Sequence, residues 1–149
     1  MKNRTVGKVI ELFITHADAE KTRESISNVA VDSNGIKDDK FYSKDPMRAI
    51  LITSVESYKL SRENGIELQT GSLGENILID INPYGLSEGT EIKIGDALLE
   101  ITQNCTLCKG LSVVNSKLPK LLKNDRGIFA KVINGKSNIS IGDQVEIYQ

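Results

Sequence analysis

Short runs of Ile, Val and Leu, each ending near a Gly, Asn or Asp, are the feature that most limits the fold of this 149-residue chain. Branched apolar residues favour pleated strands, and the residues that flank them favour turns. Candidate strands cover residues 6–14, 28–32, 49–53, 75–81, 91–94, 97–102, 128–133 and 144–148. Short strands at this spacing predict a mainly β fold, either a barrel or a sandwich.

Helical signals are few. Thr53 and Glu56 have capping-box spacing and Gly65 stands where a helix would stop, which predicts a helix over about residues 54–64. A shorter helix is predicted at residues 118–123, and the polar stretch 17–27 is interpreted as loop or helix. No linker or low-complexity tract divides the chain, so one domain is predicted over residues 1–149.

The amino-acid composition limits which partners and which cellular compartment are expected. Hydrophobic residues make up 39% and charged residues 26%, as in globular proteins, and the net charge is −1. That charge gives no bulk attraction to nucleic acid or to an anionic membrane. The longest apolar runs are too short to span a bilayer, and Lys8 and Glu11 interrupt any signal-peptide core. With only two cysteines, the chain is predicted to be cytoplasmic.

Those cysteines, Cys105 and Cys108, closely follow the predicted strand 97–102, where a rigid frame can hold a reactive group. Thiolate is the nucleophile, and Lys109 would favour it electrostatically. The pair could form a thioredoxin-like redox motif, contribute with His16 to a zinc site, or provide one persulfide-carrying cysteine with a resolving or incidental neighbour. The last interpretation is favoured; inert, buried cysteines are the structural alternative.

Three polar segments are candidates for ligand binding. The turn at residues 71–76 has two glycines whose backbone could form an anion nest, with Glu75 and Asn76 placed to orient a ligand. Arg126 precedes a strand and could hold phosphate or carboxylate in a planar fork. The loop 34–41, followed by Arg48, is polar, and its charges are interpreted as a solvated surface.

In this order, the segments resemble the MOSC domain, the module found at the C-terminus of molybdenum cofactor sulfurases and as small stand-alone bacterial proteins. The turn Gly71-Ser72-Leu73-Gly74-Glu75-Asn76 resembles its Gly-x-x-Gly-Glu-Asn element, and residues 94–103 resemble the stretch that leads to its cysteine. Cys108 stands at that cysteine. Residues 35–41 are similar to its Gly-x-x-Gly-Asp-x-His segment, and residues 126–130 and 141–143 to its closing strands. The resemblance covers roughly residues 5–148.

The resemblance implies a closed or partly open β-barrel with one or two short helices, and a sulfur carrier or sulfur-transfer role tied to the molybdenum cofactor. Cys108 would carry the persulfide or ligate molybdenum as thiolate, and Cys105 could resolve the persulfide. A molybdopterin would be held by a set of cofactor-binding residues: Arg48, Gly74, Glu75, Asn76, Gln103, Lys109 and Arg126. A sulfur donor protein is the implied partner.

The sequence leaves the function and the shape of the site open. A non-catalytic module that binds a molybdenum-pterin or another anion is the alternative function, and pyridoxal phosphate binding is implied for the family only, since no lysine here has a recognisable Schiff-base setting. Three residues depart from the family pattern: Asp38 replaces a glycine, Phe41 stands where histidine is common, and Leu107 replaces the usual proline before the cysteine. These changes bear on the shape and acid–base character of the pocket around Cys108.

Overall fold

The structure is a computed structural model that describes residues 4–18, 23–105 and 114–148. Its elements in chain order are β1 (Arg4–Thr15), β2 (Arg23–Ile26), β3 (Asn28–Asp32), β4 (Gly35–Ile36), a 3-10 helix (Pro46–Arg48), β5 (Ile50–Ser54), α1 (Val55–Glu63), β6 (Ile77–Ile79), β7 (Glu91–Ile94), β8 (Ala97–Asn104), α2 (Leu118–Leu121), β9 (Ile128–Val132), β10 (Ser137–Ser140) and β11 (Gln144–Tyr148). Cys108 and Lys109 lie outside the described residues.

Seven strands close into a barrel. Their order is β1-β11-β7-β8-β9-β5-β6, and β6 pairs with β1 to complete the circle. The twelve-residue β1 makes this closure, because it pairs with β11 through its first half and with β6 through its second. β2 extends the sheet beyond β1, and β10, β3 and β4 form a second small sheet. The prediction of a mainly β barrel is therefore confirmed, in its closed form.

Ile, Leu and Val fill the barrel. Strands such as β7 alternate exposed and buried residues, as expected when one face lines the core and the other meets water. β5 and β6 are buried on both faces, because α1 and α2 cover them from outside. That outer cluster consists of Tyr58, Ile66, Leu73, Leu78, Leu118 and Leu122. β5 and β6 run parallel, and α1 supplies the crossover that parallel neighbours require.

The first helix begins one residue later than the capping-box spacing predicts. Ser54, not Thr53, is the N-cap, and its Oγ accepts from the Glu56 N–H at 3.1 Å. Thr53 ends up inside β5, where its Oγ1 donates to the carbonyl of Arg126 at 2.8 Å. The predicted stop at Gly65 agrees with the structure, since that glycine follows the helix with φ of +79°. No described helix has the length and hydrophobicity needed to cross a bilayer.

The sequence analysis missed three strands: the two-residue β4 and the polar strands β2 and β10. The interpretation of residues 17–27 as loop or helix was wrong for Arg23–Ile26, which forms β2. β2 pairs only with β1 and is largely exposed, so it carries no alternating apolar pattern. β10 is also polar, with one fully buried residue, Ile139, packed in the core. In both cases, pairing with a more apolar neighbouring strand decides the conformation.

Candidate functional site

A cavity of about 680 Å³ opens at the end of the barrel where β1 and β8 finish and β5, β6 and β9 begin. That volume is within the usual range for a site that binds a small molecule. The side chains around it come from six separate stretches of sequence. Its lining residues are Thr15, Arg23, Lys40, Phe41, Lys44, Asp45, Arg48, Ala49, Leu51, Gly74, Asn76, Cys105, Arg126 and Phe129.

The cavity is cationic although the chain as a whole is not. Five basic side chains line it (Arg23, Lys40, Lys44, Arg48 and Arg126), against one acidic residue, Asp45. Asp45 Oδ1 is occupied as the N-cap of the 3-10 helix, where it accepts from the Met47 N–H at 3.0 Å. Five basic side chains against one acidic residue give the cavity a positive electrostatic potential, which is suited to an anion.

Two of the arginines are fixed to the glycine turn. Arg126 Nε and Nη2 both donate to the carbonyl of Leu73, each at 3.2 Å. Arg23 Nη2 donates to the carbonyl of Glu75 at 2.5 Å, and its Nη1 to Thr15 Oγ1 at 2.8 Å. Arg48 differs, because its guanidinium stacks 5.4 Å from the centre of the Phe129 ring. Planar, anchored guanidinium groups of this kind are suited to phosphate and carboxylate ligands.

Gly74 has φ of +86°, a conformation that glycine adopts without cost. A side chain there would also contact an arginine of the cavity lining, since a Cβ at Gly74 would be 3.5 Å from Arg126 Nη2. The turn therefore exposes backbone to the cavity, and its carbonyls at Leu73 and Glu75 anchor the arginines. The carbonyls of the turn hold the arginines, while the N–H groups of Gly71, Gly74 and Asn76 donate within the protein.

Asn76 ties the same turn to the barrel. Its Oδ1 accepts from the buried Leu51 N–H at 3.0 Å, and its Nδ2 donates to the carbonyl of Phe13 at 3.2 Å. Nδ2 also lies 3.4 Å from Asp39 Oδ1. The residue is only 4% exposed, so these bonds form away from competing water. Asn76 lies in the cavity wall but uses its polar atoms for the fold.

Glu75 is fully buried and does not line the cavity. Its Oε2 accepts from the Tyr58 hydroxyl at 2.5 Å and the Gly71 N–H at 3.2 Å, while Oε1 has no hydrogen-bond partner among the described residues. Burial raises the pKa of the Glu75 carboxyl, and the Tyr58 hydroxyl and the Arg23 charge offset this only in part. Burial also raises the pKa of Tyr58, with the Glu75 charge adding to it. Glu75 is thus a buried support beneath the cavity wall.

The raised pKa of Glu75 predicts a stability that falls as pH rises. The unfolded chain releases this proton near the ordinary pKa of 4.5, whereas the folded protein retains it to higher pH. The stabilising contribution is therefore complete below about pH 4.5 and is lost as pH rises through the folded-state pKa, with a slope of up to about 1.4 kcal/mol per pH unit. We expect Glu75→Gln to remove this dependence. Urea unfolding of both proteins from pH 4 to 8 measures it.

The matched control for this measurement is Glu88→Gln, an exposed glutamate in a loop. The difference in unfolding free energy between Glu75→Gln and the parent protein should grow in favour of the variant with increasing pH. For Glu88→Gln the difference should stay flat. Parallel curves for Glu75→Gln and the parent protein would show that the carboxyl does not retain its proton on folding.

The loop before the 3-10 helix contributes more side chains to the cavity than the sequence suggests. Its charges were interpreted as a solvated surface, but Lys40 and Phe41 line the cavity and Asp39 is 5% exposed. Asp39 Oδ1 accepts from the Thr15 N–H at 2.8 Å and Oδ2 from the Phe41 N–H at 3.2 Å, which fixes the loop to β1. Asp38, which replaces a family glycine, keeps the left-handed backbone with φ of +73°.

The structure brings together much of the predicted site. Arg48, Gly74, Asn76 and Arg126 line one cavity with Cys105, whose side chain is buried at 5% exposure and whose N–H donates to the carbonyl of Gly127 at 3.0 Å. Gln103 is exposed and, like Glu75, is absent from the lining. Cys108, Lys109 and Leu107 lie outside the described residues. The roles assigned to all these residues stay predictions.

Metal ligands are not assembled in the described part of the chain. No group of three or more His, Cys, Asp or Glu side chains there could hold an ion. His16, considered as a zinc ligand with the cysteines, does not line the cavity; its Nε2 lies 2.8 Å from Glu24 Oε2. That hydrogen bond to Glu24 raises the pKa of His16.

Fold and cavity together define a closed β-barrel with a cavity lined by five basic side chains at one end. The family model for the MOSC domain matches residues 38–146, so the chain belongs to the MOSC domain family. This family is associated with molybdenum cofactor-related proteins. The resemblance seen in the sequence is confirmed. No curated protein is recognisably similar in sequence.

Solved structures share the fold at low sequence identity. The YuaD protein of Bacillus subtilis superposes with a TM-score of 0.83 at 20% identity, and the match covers 100% of this chain and 99% of YuaD. YiiM of Geobacillus stearothermophilus gives 0.68 at 18% identity, covering 97% of this chain and 76% of YiiM. YiiM of Escherichia coli gives 0.69 at 19% identity, covering 96% and 69%. These likenesses establish the barrel fold. They do not identify a ligand.

Proposed function

We propose that this MOSC domain binds an anionic molybdenum-pterin in its cationic cavity and carries sulfur on Cys108. The observation that supports this best is the convergence of five basic side chains around one cavity that also contains the Cys105 side chain. The cations match a phosphate group, and the apolar surfaces of Phe41, Leu51 and Phe129 match the ring system. Thiol chemistry of this kind belongs in a reducing compartment such as the cytoplasm.

The cavity fits the organic part of such a cofactor. Arg48 would hold the phosphate through its planar fork, and Arg126, Lys40 and Lys44 would add positive charge at the same cavity. The bound cofactor would supply a redox-active metal centre. The chain's own contribution would be to orient the anion and to place a thiolate near it.

The sulfur step needs no external oxidant. The Cys108 thiolate attacks the outer sulfur of a donor persulfide, forms a new S–S bond, and releases the donor's thiolate as the donor S–S bond breaks. Cys108 then holds one sulfane sulfur. An acceptor thiolate takes that sulfur by the same exchange and restores the Cys108 thiolate. A protein persulfide is the donor class that this chemistry requires.

Persulfide loading tests the carrier role directly. After incubation with a cysteine desulfurase and cysteine, we expect the intact protein to gain the mass of one sulfur atom, and Cys108→Ser to gain none. Cys105→Ser is the matched control, because it removes the neighbouring thiol and should still be loaded. The carrier role would be contradicted by equal loading of Cys108→Ser and the parent protein.

A binding module without sulfur chemistry is the second candidate. It is favoured by one observation: five basic side chains of the described residues line one cavity without any need for Cys108, and the cysteine among those lining residues is 5% exposed. In that case Cys108→Ser would leave ligand affinity unchanged and no persulfide would form. Rapid alkylation of Cys108 at neutral pH would argue against it, since inert buried cysteines react slowly.

A further inference from the structure

Two of the three phenylalanines line the cavity, whereas none of the four tyrosines does. The sequence contains three phenylalanines and no tryptophan. Phe41 and Phe129 both line the cavity, and Phe13 lies under Arg23, with its ring centre 5.5 Å from the guanidinium carbon. Single exposed apolar residues are ordinary, but two of three phenylalanines around one cationic cavity form a local feature.

Phe41 is the most accessible of these rings. It is 47% exposed, and the Lys40 ammonium lies 4.7 Å from its ring centre. An exposed ring beside a cation provides two kinds of contact at once: a flat apolar surface for stacking and a positive charge for an anion. Phe41 has no group that can titrate, donate or ligate, so any effect on ligand choice must come from shape and ring contact.

We propose that Phe41 is a specificity-determining residue that stacks on a planar aromatic ring of the cavity's anionic ligand. This inference rests on the proposed anion site and narrows its substrate class to aromatic rather than aliphatic anions. Lys40 and the arginines hold the negative group, while Phe41 contacts the ring. An aliphatic ring of the same size would bury a comparable apolar area but lack the stacking contribution.

Two phosphate esters of equal charge separate ring stacking from general hydrophobic contact. Phenyl phosphate and cyclohexyl phosphate differ in the planarity and π surface of the ring, and calorimetry gives both dissociation constants. We expect the parent protein to bind phenyl phosphate about threefold to tenfold more tightly, the range of an aromatic pair beyond its area. Phe41→Tyr should keep this preference, and Phe41→Leu, which keeps an apolar side chain without the flat ring, should abolish it.

Met47→Ala is the matched control, because Met47 is similarly exposed at 40% and does not line the cavity. It should leave both affinities unchanged. Equal binding of the two esters by the parent protein, or a preference that survives in Phe41→Leu, would overturn the role of Phe41 while leaving the anion site intact. If neither ester binds at all, both the anion site and the role of Phe41 are overturned. Thermal unfolding of each variant checks that the exposed substitution leaves the fold in place.

Discussion

Replacing Asn76 with alanine is expected to lower the free energy of unfolding by about 3 kcal/mol, the largest stability loss among the site residues. The substitution deprives the buried Leu51 N–H of its acceptor and removes the donor to the Phe13 carbonyl. Water cannot readily replace either partner, because Asn76 is 4% exposed. Urea unfolding at neutral pH measures the change.

Asn134 provides the matched control on the surface. Its Oδ1 accepts from the Leu98 N–H at 3.0 Å and its Nδ2 donates to the carbonyl of Asp96 at 2.9 Å, the same pattern of bonds in an exposed position. Water can take over these bonds, so Asn134→Ala should cost less than about 1 kcal/mol. If the two variants lose equal stability, burial is not what makes the Asn76 bonds costly to lose. The Gly-Glu-Asn element would then need another structural explanation.

Apolar periodicity explains why most of the barrel was predictable. Strands such as β7 and β11 have their predicted bounds. Their Ile, Val and Leu residues alternate with polar ones, and this alternation indicates which face packs against the core. β2 and β10 were missed since their residues are mostly polar and their conformation comes from pairing with β1 and β3. The N-cap shifted by one residue because Thr53 bonds to Arg126, a partner 73 positions away that no local pattern reveals.

The candidate site was predictable where local chemistry identified it. Arg48, Gly74, Asn76 and Arg126 all line the cavity, and turn glycines and strand-flanking arginines were visible in the sequence. Arg23 was missed because only the β1–β2 pairing carries it to the cavity. Lys40 looked like an ordinary surface charge, since nothing local shows that the buried carboxylate of the preceding residue fixes its loop to β1.

The role of Glu75 also depends on the tertiary structure. A glutamate in a glycine turn suggests a ligand contact, and its exposed or buried state cannot be read from neighbours in sequence. In the fold, the outer cluster containing Tyr58 covers it and leaves it as a support beneath the wall. Gly74 and Asn76 are the parts of the motif that line the cavity, and a Cβ at Gly74 would be 3.5 Å from Arg126 Nη2.

Neutralising the cavity arginines is expected to have the largest effect on binding. Arg48→Gln and Arg126→Gln should each weaken phenyl phosphate binding by about 10- to 100-fold, the usual contribution of a hydrogen bond to a charged group. The two residues reach the cavity from different elements, the 3-10 helix and the segment before β9. Because both residues would act on the same phosphate, the double variant should lose less affinity than the product of the two single effects. Calorimetry at fixed salt measures each affinity.

Arg48→Lys and Arg62→Gln show whether the affinity for phenyl phosphate depends on the charge of the side chain, on its geometry or on neither. Arg62 is an exposed residue of α1 outside the cavity lining, so its loss changes net charge by the same amount and should leave affinity nearly unchanged. Arg48→Lys keeps the charge but loses the planar fork and the stacking on Phe129, and we expect an intermediate affinity. Affinity that falls equally in Arg62→Gln and Arg48→Gln would mean that net charge alone attracts the ester. Affinity unchanged in both cavity variants would place the anion elsewhere, and the cavity would lose its assigned role.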